Sequence, residues 1–110
     1  MSNKETEVKS ALFATGDLVH HKLFDYRGVV VDADPVFMLS EEWYEHVARS
    51  RPPKDQPWYH VLVHNATHQT YVAERHLESD DSTDPINHPL IDHCFNGFVN
   101  GRYVKQAPLN

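Results

Sequence analysis

The sequence predicts a mainly β domain: a small, SH3-like, partly open barrel with one short helical insertion and a C-terminal extension. Short segments rich in β-branched and aromatic residues alternate with turn residues, which is typical of strands joined in hairpins. Only one internal stretch combines an N-cap with the apolar spacing of a helix. Four or five short strands cannot cover a flat sheet in 110 residues. Closure into a barrel is therefore the economical way to bury their apolar faces.

The first half of the chain predicts a β-hairpin. A short strand in residues 16–21 is followed by turn residues at 25–28 and by a β-branched strand in residues 29–33. Asp34 and Pro35 end that strand, because proline has no N–H donor for the ladder.

The middle of the chain predicts the single helix. Ser40 is a good N-cap and is followed by two acidic residues in the first turn. Trp43 and Val47 form a narrow apolar stripe, and the helix is expected to end before Pro52.

A second hairpin is predicted from residues 58–64 and 69–73, with a turn at 65–67. The expected barrel core is Val29, Val31, Val61, Val63 and Val72.

The chain divides into three predicted regions. Residues 1–11 are a flexible N-terminal tail, residues 12–78 form the SH3-like barrel, and residues 79–110 form an acidic linker and an apolar C-terminal extension. The linker, residues 79–85, is too polar to be core. The extension carries more apolar residues than a solvated tail would, so we expect it to dock, with one or two helical turns in residues 89–95.

Charge and composition limit the possible functions. The chain has 10 Lys+Arg against 16 Asp+Glu, a formal charge of -6, which disfavours strong nonspecific DNA binding. The nine histidines take up charge as the pH falls below about 6.5, so any nucleic-acid affinity could depend on pH. Cys94 is the only cysteine and cannot form an internal disulfide. No apolar run reaches the roughly 20 residues that span a bilayer, so we expect a cytoplasmic protein without a membrane partner.

The histidines and the cysteine predict no metal site and no nucleophile. His60 and His64 would lie roughly 13 Å apart on one strand, whereas two zinc ligands must approach within about 4 Å. His64 and His68 could face each other across the turn, but they lack a third ligand. Cys94 adjoins His93, yet adjacent side chains point apart and do not form a triad.

One pair of carboxylates would suit a cation or acid/base chemistry. Asp32 and Asp34 share one strand face, but Asp34 before Pro35 is more typical of a turn. We expect no catalytic residue, no metal and no cofactor.

Two groups of residues are candidates for contacts with partners. The basic residues around the run at 49–54 are candidate DNA contacts, although acids outnumber them across residues 20–57: Lys22, Arg27, Arg49, Arg51 and Lys54. Trp58 and Tyr59 point to opposite faces of a strand, so one of them is expected to be exposed to a partner. The full set of candidate partner-binding residues is Trp58, Tyr59, Phe95, Phe98 and Tyr103.

Several segments carry a resemblance to a known family. They include Phe13 to His21, Leu23-Phe24, Tyr26 to Pro35, Glu41 to Tyr44, Asp55 to Val63, Thr70 to Glu74, Phe95 to Phe98 and Gly101 to Tyr103. Nearly the whole chain therefore resembles the bacterial heat shock protein HspQ family, also called the hemimethylated-DNA-binding, YccV-like family. A weaker likeness, in the Gly-Asp-x-Val start, is to the KOW motif of ribosomal and transcription-factor barrels.

The resemblance implies an SH3-like barrel in a small, cytoplasmic, non-enzymatic protein that is induced by heat stress. It also implies binding to double-stranded DNA, with a preference for hemimethylated DNA, and an influence on the degradation of unfolded proteins and of the replication initiator. The family brings no catalytic residues to this sequence.

Two other hypotheses remain open. The chain could be a protein-interaction module, an adaptor or modulator of an ATP-dependent protease or its clients, without physiologically relevant DNA binding. The apolar extension could also dock on a neighbouring barrel and so build a homo-oligomer.

Overall fold

The structure is a computed structural model that describes residues 10–105. Most of the predicted flexible tail and the last residues of the extension lie outside the described residues. Five strands form the main antiparallel sheet: β1 (Leu18–His21), β2 (Arg27–Asp34), β3 (Trp58–Val63), β4 (Gln69–Ala73) and β5 (Leu77–Ser79). The remaining elements are the helices α1 (Glu41–Val47) and α2 (Ile91–Cys94), a 3-10 turn (Glu74–His76), and the hairpin of β6 (Phe95–Val99) and β7 (Arg102–Lys105).

The main sheet has the strand order β4-β3-β2-β1-β5 and stays open between its outer strands. The 3-10 turn leads directly from β4 to β5, but no ladder joins these two strands within the described residues. The predictions of a mainly β domain and of one helical insertion are confirmed. The predicted SH3-like arrangement is open, because the antiparallel sheet is not closed into a barrel within the described residues. No helix within residues 10–105 is long and apolar enough to cross a membrane.

A bulge in β2 shifts the register of the sheet. Val30 pairs with Val61, but the next paired residue, Asp32, lies opposite His60, so one residue on β2 is unpaired. Such a bulge bends a strand and redirects its side chains. Here it brings the carboxylate of Asp32 beside the imidazole of the neighbouring strand.

Helix α1 begins where the sequence predicts. The Ser40 hydroxyl accepts a hydrogen bond from the N–H of Trp43 at 3.0 Å, and two glutamates occupy the first turn. The buried residue of the helix, Tyr44, packs in a cluster with Trp58 and Ala73. This contact holds α1 against the edge of the main sheet.

Apolar clusters cover both faces of the sheet. One cluster contains Phe13, Val19, Val30, Tyr59, Val61, Val72 and Leu77. The other contains Leu18, Val29, Leu62, Ile86, Phe95 and Tyr103, so the extension supplies half of the second core. Of the expected core valines, four are buried and Val31 is only half-buried.

The extension docks as expected, and it docks on its own chain. The backbone N–H of Tyr103 donates to the carbonyl oxygen of Gly16 at 2.9 Å, and Arg102 forms an ion pair with Asp17. The expected helical turns in residues 89–95 are found at Ile91–Cys94. Because Ile86, Phe95 and Tyr103 are buried within one chain, the extension is not an unpartnered tail of the kind that motivated the homo-oligomer hypothesis. The division into residues 12–78 and 79–110 stays a prediction.

Candidate nucleic-acid interface

A wide groove of about 870 Å³ runs over the outer part of the sheet. Helix α1 contributes Trp43 and Val47 to its wall, β4 contributes Tyr71, and the connection between β1 and β2 contributes Leu23 and Phe24. The phenyl ring of Phe24 is exposed over 70% of its surface, an unusual position for a large apolar side chain. The groove is therefore the first place to seek a ligand.

A stack of rings holds Phe24 at the edge of the groove. The imidazole of His21 stacks on Phe24, with ring centroids 4.8 Å apart, and on His76, at 5.7 Å. His21 Nδ1 also accepts hydrogen bonds from the backbone N–H groups of Leu23 and Phe24, at 3.2 and 3.0 Å. Burial, with the nearby charges of His76 and His20, lowers the pKa of His21 to about 4. The ring is therefore neutral at pH 7 and keeps Nδ1 free to accept these bonds.

Three of the five predicted DNA contacts are engaged in ion pairs. Arg27 Nε donates to Asp80 Oδ2 at 2.7 Å, and Arg27 Nη2 donates to the Asp84 carbonyl. The other two pairs lie on and beside α1: Arg51 with Glu45 and Lys54 with Glu41. The Arg27 contacts fix the linker to the main sheet, whereas the pairs of Arg51 and Lys54 are exposed to solvent.

Two predicted contacts, Lys22 and Arg49, are exposed and have no acidic partner within the described residues. A third cation, missed by sequence reasoning, lies beside them. Arg75 Nη2 donates to the Ser50 carbonyl at 2.9 Å, and so its guanidinium lies next to the chain segment that carries Arg49. We call Lys22, Arg49 and Arg75 the basic rim.

His76 ties the basic rim together. Its Nε2 lies 2.9 Å from Ser50 Oγ, and its carbonyl oxygen accepts from the backbone N–H of Lys22 at 2.8 Å. Burial lowers the pKa of His76, and the positive charges of Arg75 and Lys22 lower it further. The lowered pKa favours the neutral imidazole, so the positive charge around His76 is carried by Lys22 and Arg75.

An acidic cluster lies against two residues of the groove wall, Tyr71 and His60. Asp34 Oδ2 accepts from Tyr71 Oη at 2.7 Å and lies 3.3 Å from His60 Nε2. Burial, and then the hydrogen bond to Asp34, raise the pKa of Tyr71. Sequence analysis placed Asp32 and Asp34 on one face, and the structure adds His60 to them through the pairing of β2 with β3. Sequence reasoning could have placed His60 beside Asp32 and Asp34 only if the register between β2 and β3 had been known.

The expectation that Trp58 or Tyr59 is exposed is wrong. Their exposed fractions are 1% and 0%, because the sheet is covered on both sides. Trp58 lies beneath α1, where its Nε1 donates to the Pro53 carbonyl at 3.0 Å. Tyr59 lies in the other core, edge to face with Phe13 at 5.5 Å. These two aromatic residues therefore stabilise the fold and are not exposed to a partner.

The three candidates in the extension are also mostly covered. Phe95 and Tyr103 are each 4% exposed and pack against the main sheet, while Phe98 is half-buried beside the Tyr103 ring. The aromatic residue that does face outward, Phe24, was not among the predicted contacts. Its exposure results from the turn held by His21.

A comparison with known families agrees with these observations. The model of the YccV-like family, described as "Hemimethylated DNA-binding protein YccV like", matches residues 11–102. The matched segment includes the whole main sheet, α1, the groove and the first strand of the second hairpin. It covers most of the chain and confirms the resemblance recognised from the sequence motifs. The protein belongs to the YccV-like family of hemimethylated DNA-binding proteins.

Proposed function

We propose that this protein is a non-enzymatic DNA-binding protein that contacts duplex DNA through the basic rim and the exposed ring of Phe24. The single observation that carries the proposal is a cluster of three exposed cations that have no acidic partner within residues 10–105. Arg49 lines the open groove, Arg75 binds the carbonyl of the neighbouring Ser50, and the backbone of Lys22 binds His76 in the groove wall. The description of the family supports DNA as the ligand. The proposed setting is the cytoplasm, under heat stress.

A local patch is needed because the whole chain is acidic. At a formal charge of -6 the overall field repels DNA, so binding must come from cations that are free to reach phosphates. Each phosphate contact releases counterions and adds about 0.9 to the slope of log affinity against log salt. Three rim cations therefore support a slope of about 3 at most.

Phe24 supplies a means of sensing a methyl group. An apolar side chain beside phosphate-binding cations can contact a base methyl in the major groove, as apolar side chains do with the thymine methyl. In this arrangement the basic rim contributes affinity for the DNA backbone, and Phe24 contributes the preference for hemimethylated DNA. The two contributions can be separated by mutation.

The experiment is a fluorescence anisotropy titration of one duplex in unmethylated, hemimethylated and fully methylated forms, at two salt concentrations. The variants are K22A, R49A and R75A, with K105A as the matched control, because Lys105 is an exposed β7 cation outside the groove. We expect each rim variant to flatten the salt slope by about one unit and K105A to leave it unchanged. F24A should keep the slope and lose the preference for hemimethylated DNA.

The opposite pattern would reject the proposal. If all three duplexes bind equally weakly, and K105A weakens binding as much as R49A does, the contact is nonspecific electrostatics. The family-derived influence on degradation of unfolded proteins and of the replication initiator would then need a route that does not involve DNA.

A second candidate function is favoured by the apolar side of the groove. Leu23, Leu39 and Val47 line it and are exposed, which suits a peptide segment of an ATP-dependent protease or of its client. In this alternative the protein is an adaptor or modulator of proteolysis. The test is a degradation assay with V47S, which should lose the effect on proteolysis and retain DNA affinity, whereas R49A should do the reverse.

The proposed homo-oligomer requires a surface other than the buried core of the extension. Val99 and Val104 on the second hairpin are exposed and are the available apolar residues there. Light scattering that shows a monomer at micromolar concentration would exclude this assembly.

A further inference from the structure

We propose that Asp32, Asp34 and His60 form a binding site for a divalent transition-metal ion, with Zn²⁺ the ion that fits best. One ligand atom from each residue lies within 4.8 Å of the others, and His60 Nε2 lies 3.3 Å from Asp34 Oδ2. Ligands held at about 2.0–2.1 Å from a tetrahedral zinc ion lie about 3.4 Å apart. Small side-chain rotations therefore complete the triangle.

The backbone creates this arrangement without help from a ligand. Asp32 and Asp34 are two residues apart on β2, so their side chains leave the same face of the strand. The bulge before Asp32 makes it the cross-strand partner of His60 on β3. The three side chains are thus fixed by two paired strands, a more rigid support than a loop.

Neighbouring side chains orient two of the three ligands. Tyr71 Oη donates to Asp34 Oδ2 at 2.7 Å and is itself held by the backbone N–H of Met38 at 3.0 Å. The side-chain amide nitrogen Nε2 of Gln69 lies 3.2 Å from His60 Nδ1. Metal-binding histidines and carboxylates usually have such outer partners, which fix the ring and raise its basicity.

The imidazole can present a free lone pair to the ion. A flip of the Gln69 amide would bring its oxygen to Nδ1 in place of Nε2, and Nδ1–H would then donate to that oxygen and leave Nε2 of the ring without a proton. Nε2 then replaces its present contact with Asp34 by a bond to the ion.

The ligand set selects among metal ions. Mg²⁺ and Ca²⁺ prefer oxygen ligands, whereas an imidazole with carboxylates suits Zn²⁺ and related first-row ions. Two carboxylates neutralise the charge of a divalent ion. Asp32 is exposed, so a coordination position remains open to solvent.

A second histidine-carboxylate cluster provides a matched control. His20 Nε2 contacts Asp25 at 2.6 Å and its Nδ1 contacts Glu78 at 2.8 Å. The two carboxylates lie against different ring nitrogens, on opposite sides of the imidazole, so they do not converge on one point. This cluster has the same residue types but lacks the geometry of a metal site.

The test is calorimetric titration of the full chain with ZnCl2 in a buffer that does not coordinate metals. The wild type should bind one tight equivalent. D32N should weaken that binding by about 10- to 100-fold, the range that even outer-sphere partners produce, and E78Q should bind as the wild type does. D32N is chosen because, among residues 10–105, the Asp32 carboxylate accepts a side-chain hydrogen bond only from the adjacent N–H of Ala33. Its circular dichroism and melting in EDTA should match those of the wild type.

A spectroscopic readout on the wild type does not depend on how the variants fold. One equivalent of Zn²⁺ should shift the ring nitrogen resonances of His60 and leave those of His20 unchanged. The proposal is overturned if D32N binds Zn²⁺ as tightly as the wild type, if E78Q loses as much affinity, or if MgCl2 binds as tightly as ZnCl2.

Discussion

The phenol of Tyr103 accepts a hydrogen bond from the backbone N–H of Ile86 at 2.8 Å and donates one to the carbonyl oxygen of the same residue at 3.3 Å. Both residues are buried in the core that the extension shares with the main sheet. The Phe95 ring packs against Tyr103, with centroids 5.0 Å apart. This reciprocal pair closes the chain between the linker and the second hairpin, and it satisfies backbone groups that water cannot reach.

Replacing Tyr103 with phenylalanine should therefore destabilise the fold. The substitution keeps the ring and removes both hydrogen bonds, leaving the buried N–H of Ile86 without a partner. We expect the free energy of unfolding to fall by about 1–3 kcal/mol, measured by urea denaturation. An unchanged urea midpoint would show that the extension does not contribute to the cooperative unit.

A second prediction concerns the close approach of β7 to the start of β1. Gly16 has φ +100, and a Cβ built on it would lie 2.2 Å from the carbonyl oxygen of Tyr103. G16A should therefore cost about 1–3 kcal/mol from the backbone alone and should loosen β7. G97A is the control, because nothing lies within 4 Å of its added Cβ. Hydrogen exchange at the Tyr103 amide should quicken in G16A and not in G97A.

A third prediction compares two ion pairs. The Arg27–Asp80 pair is mostly buried, with side-chain exposed fractions of 21% and 9%, whereas Arg51–Glu45 is exposed at 58% and 47%. D80N should lower the free energy of unfolding by about 1.5–3 kcal/mol and expose the linker to proteolysis. E45Q should leave the free energy of unfolding nearly unchanged, because water screens an exposed ion pair. Equal effects in the two variants would contradict the structural role of Arg27.

A fourth prediction follows from the titration of His21. Its pKa is about 4 in the folded chain, against 6.5 for an unperturbed histidine, so the unfolded chain takes up the proton first as the pH falls. The stability contributed by the neutral ring is complete above pH 6.5 and is lost progressively toward pH 4. The urea midpoint should drop between about pH 7.5 and pH 5, and less so in H21N.

His20 provides the opposite control. Hydrogen bonds to Asp25 and Glu78 raise its pKa, so its contribution is complete below pH 6.5 and is lost as the pH rises through the higher folded value. H20Q removes this contribution, so the urea midpoint of H20Q should fall more steeply with decreasing pH than that of the wild type. If H20Q behaves as H21N does, the assignment of the two titrations is wrong.

The parts of the fold that were predictable from sequence depend on local chemistry. Ser40 caps α1 because its hydroxyl reaches an N–H three residues away. Such a short-range contact can be predicted from the residue types and their spacing. The exposure of Trp58 and Tyr59 was mispredicted because strand alternation shows that a strand has two faces and does not show what covers them. Both covers come from distant segments, α1 over Trp58 and Phe13 over Tyr59.

The candidate site was predictable only in part for the same reason. Whether a basic residue is free depends on acids far away in sequence: Arg27 meets Asp80 across 53 positions. Arg75 joins the basic rim through Ser50, 25 positions earlier. Neither relationship leaves a spacing pattern, so the charges in the sequence cannot by themselves separate structural cations from available ones.

The dependence of β1 on the second hairpin also has a consequence for biosynthesis. Asp17 and Arg102 are 85 positions apart. At about 5–20 residues per second, a ribosome adds Arg102 about 4–17 s after it has added Asp17. Until the extension has been made, the core residues Leu18, Val29 and Leu62, once synthesised, lack the cover that it supplies. The nascent chain therefore exposes an apolar surface to chaperones and proteases until the extension emerges from the ribosome.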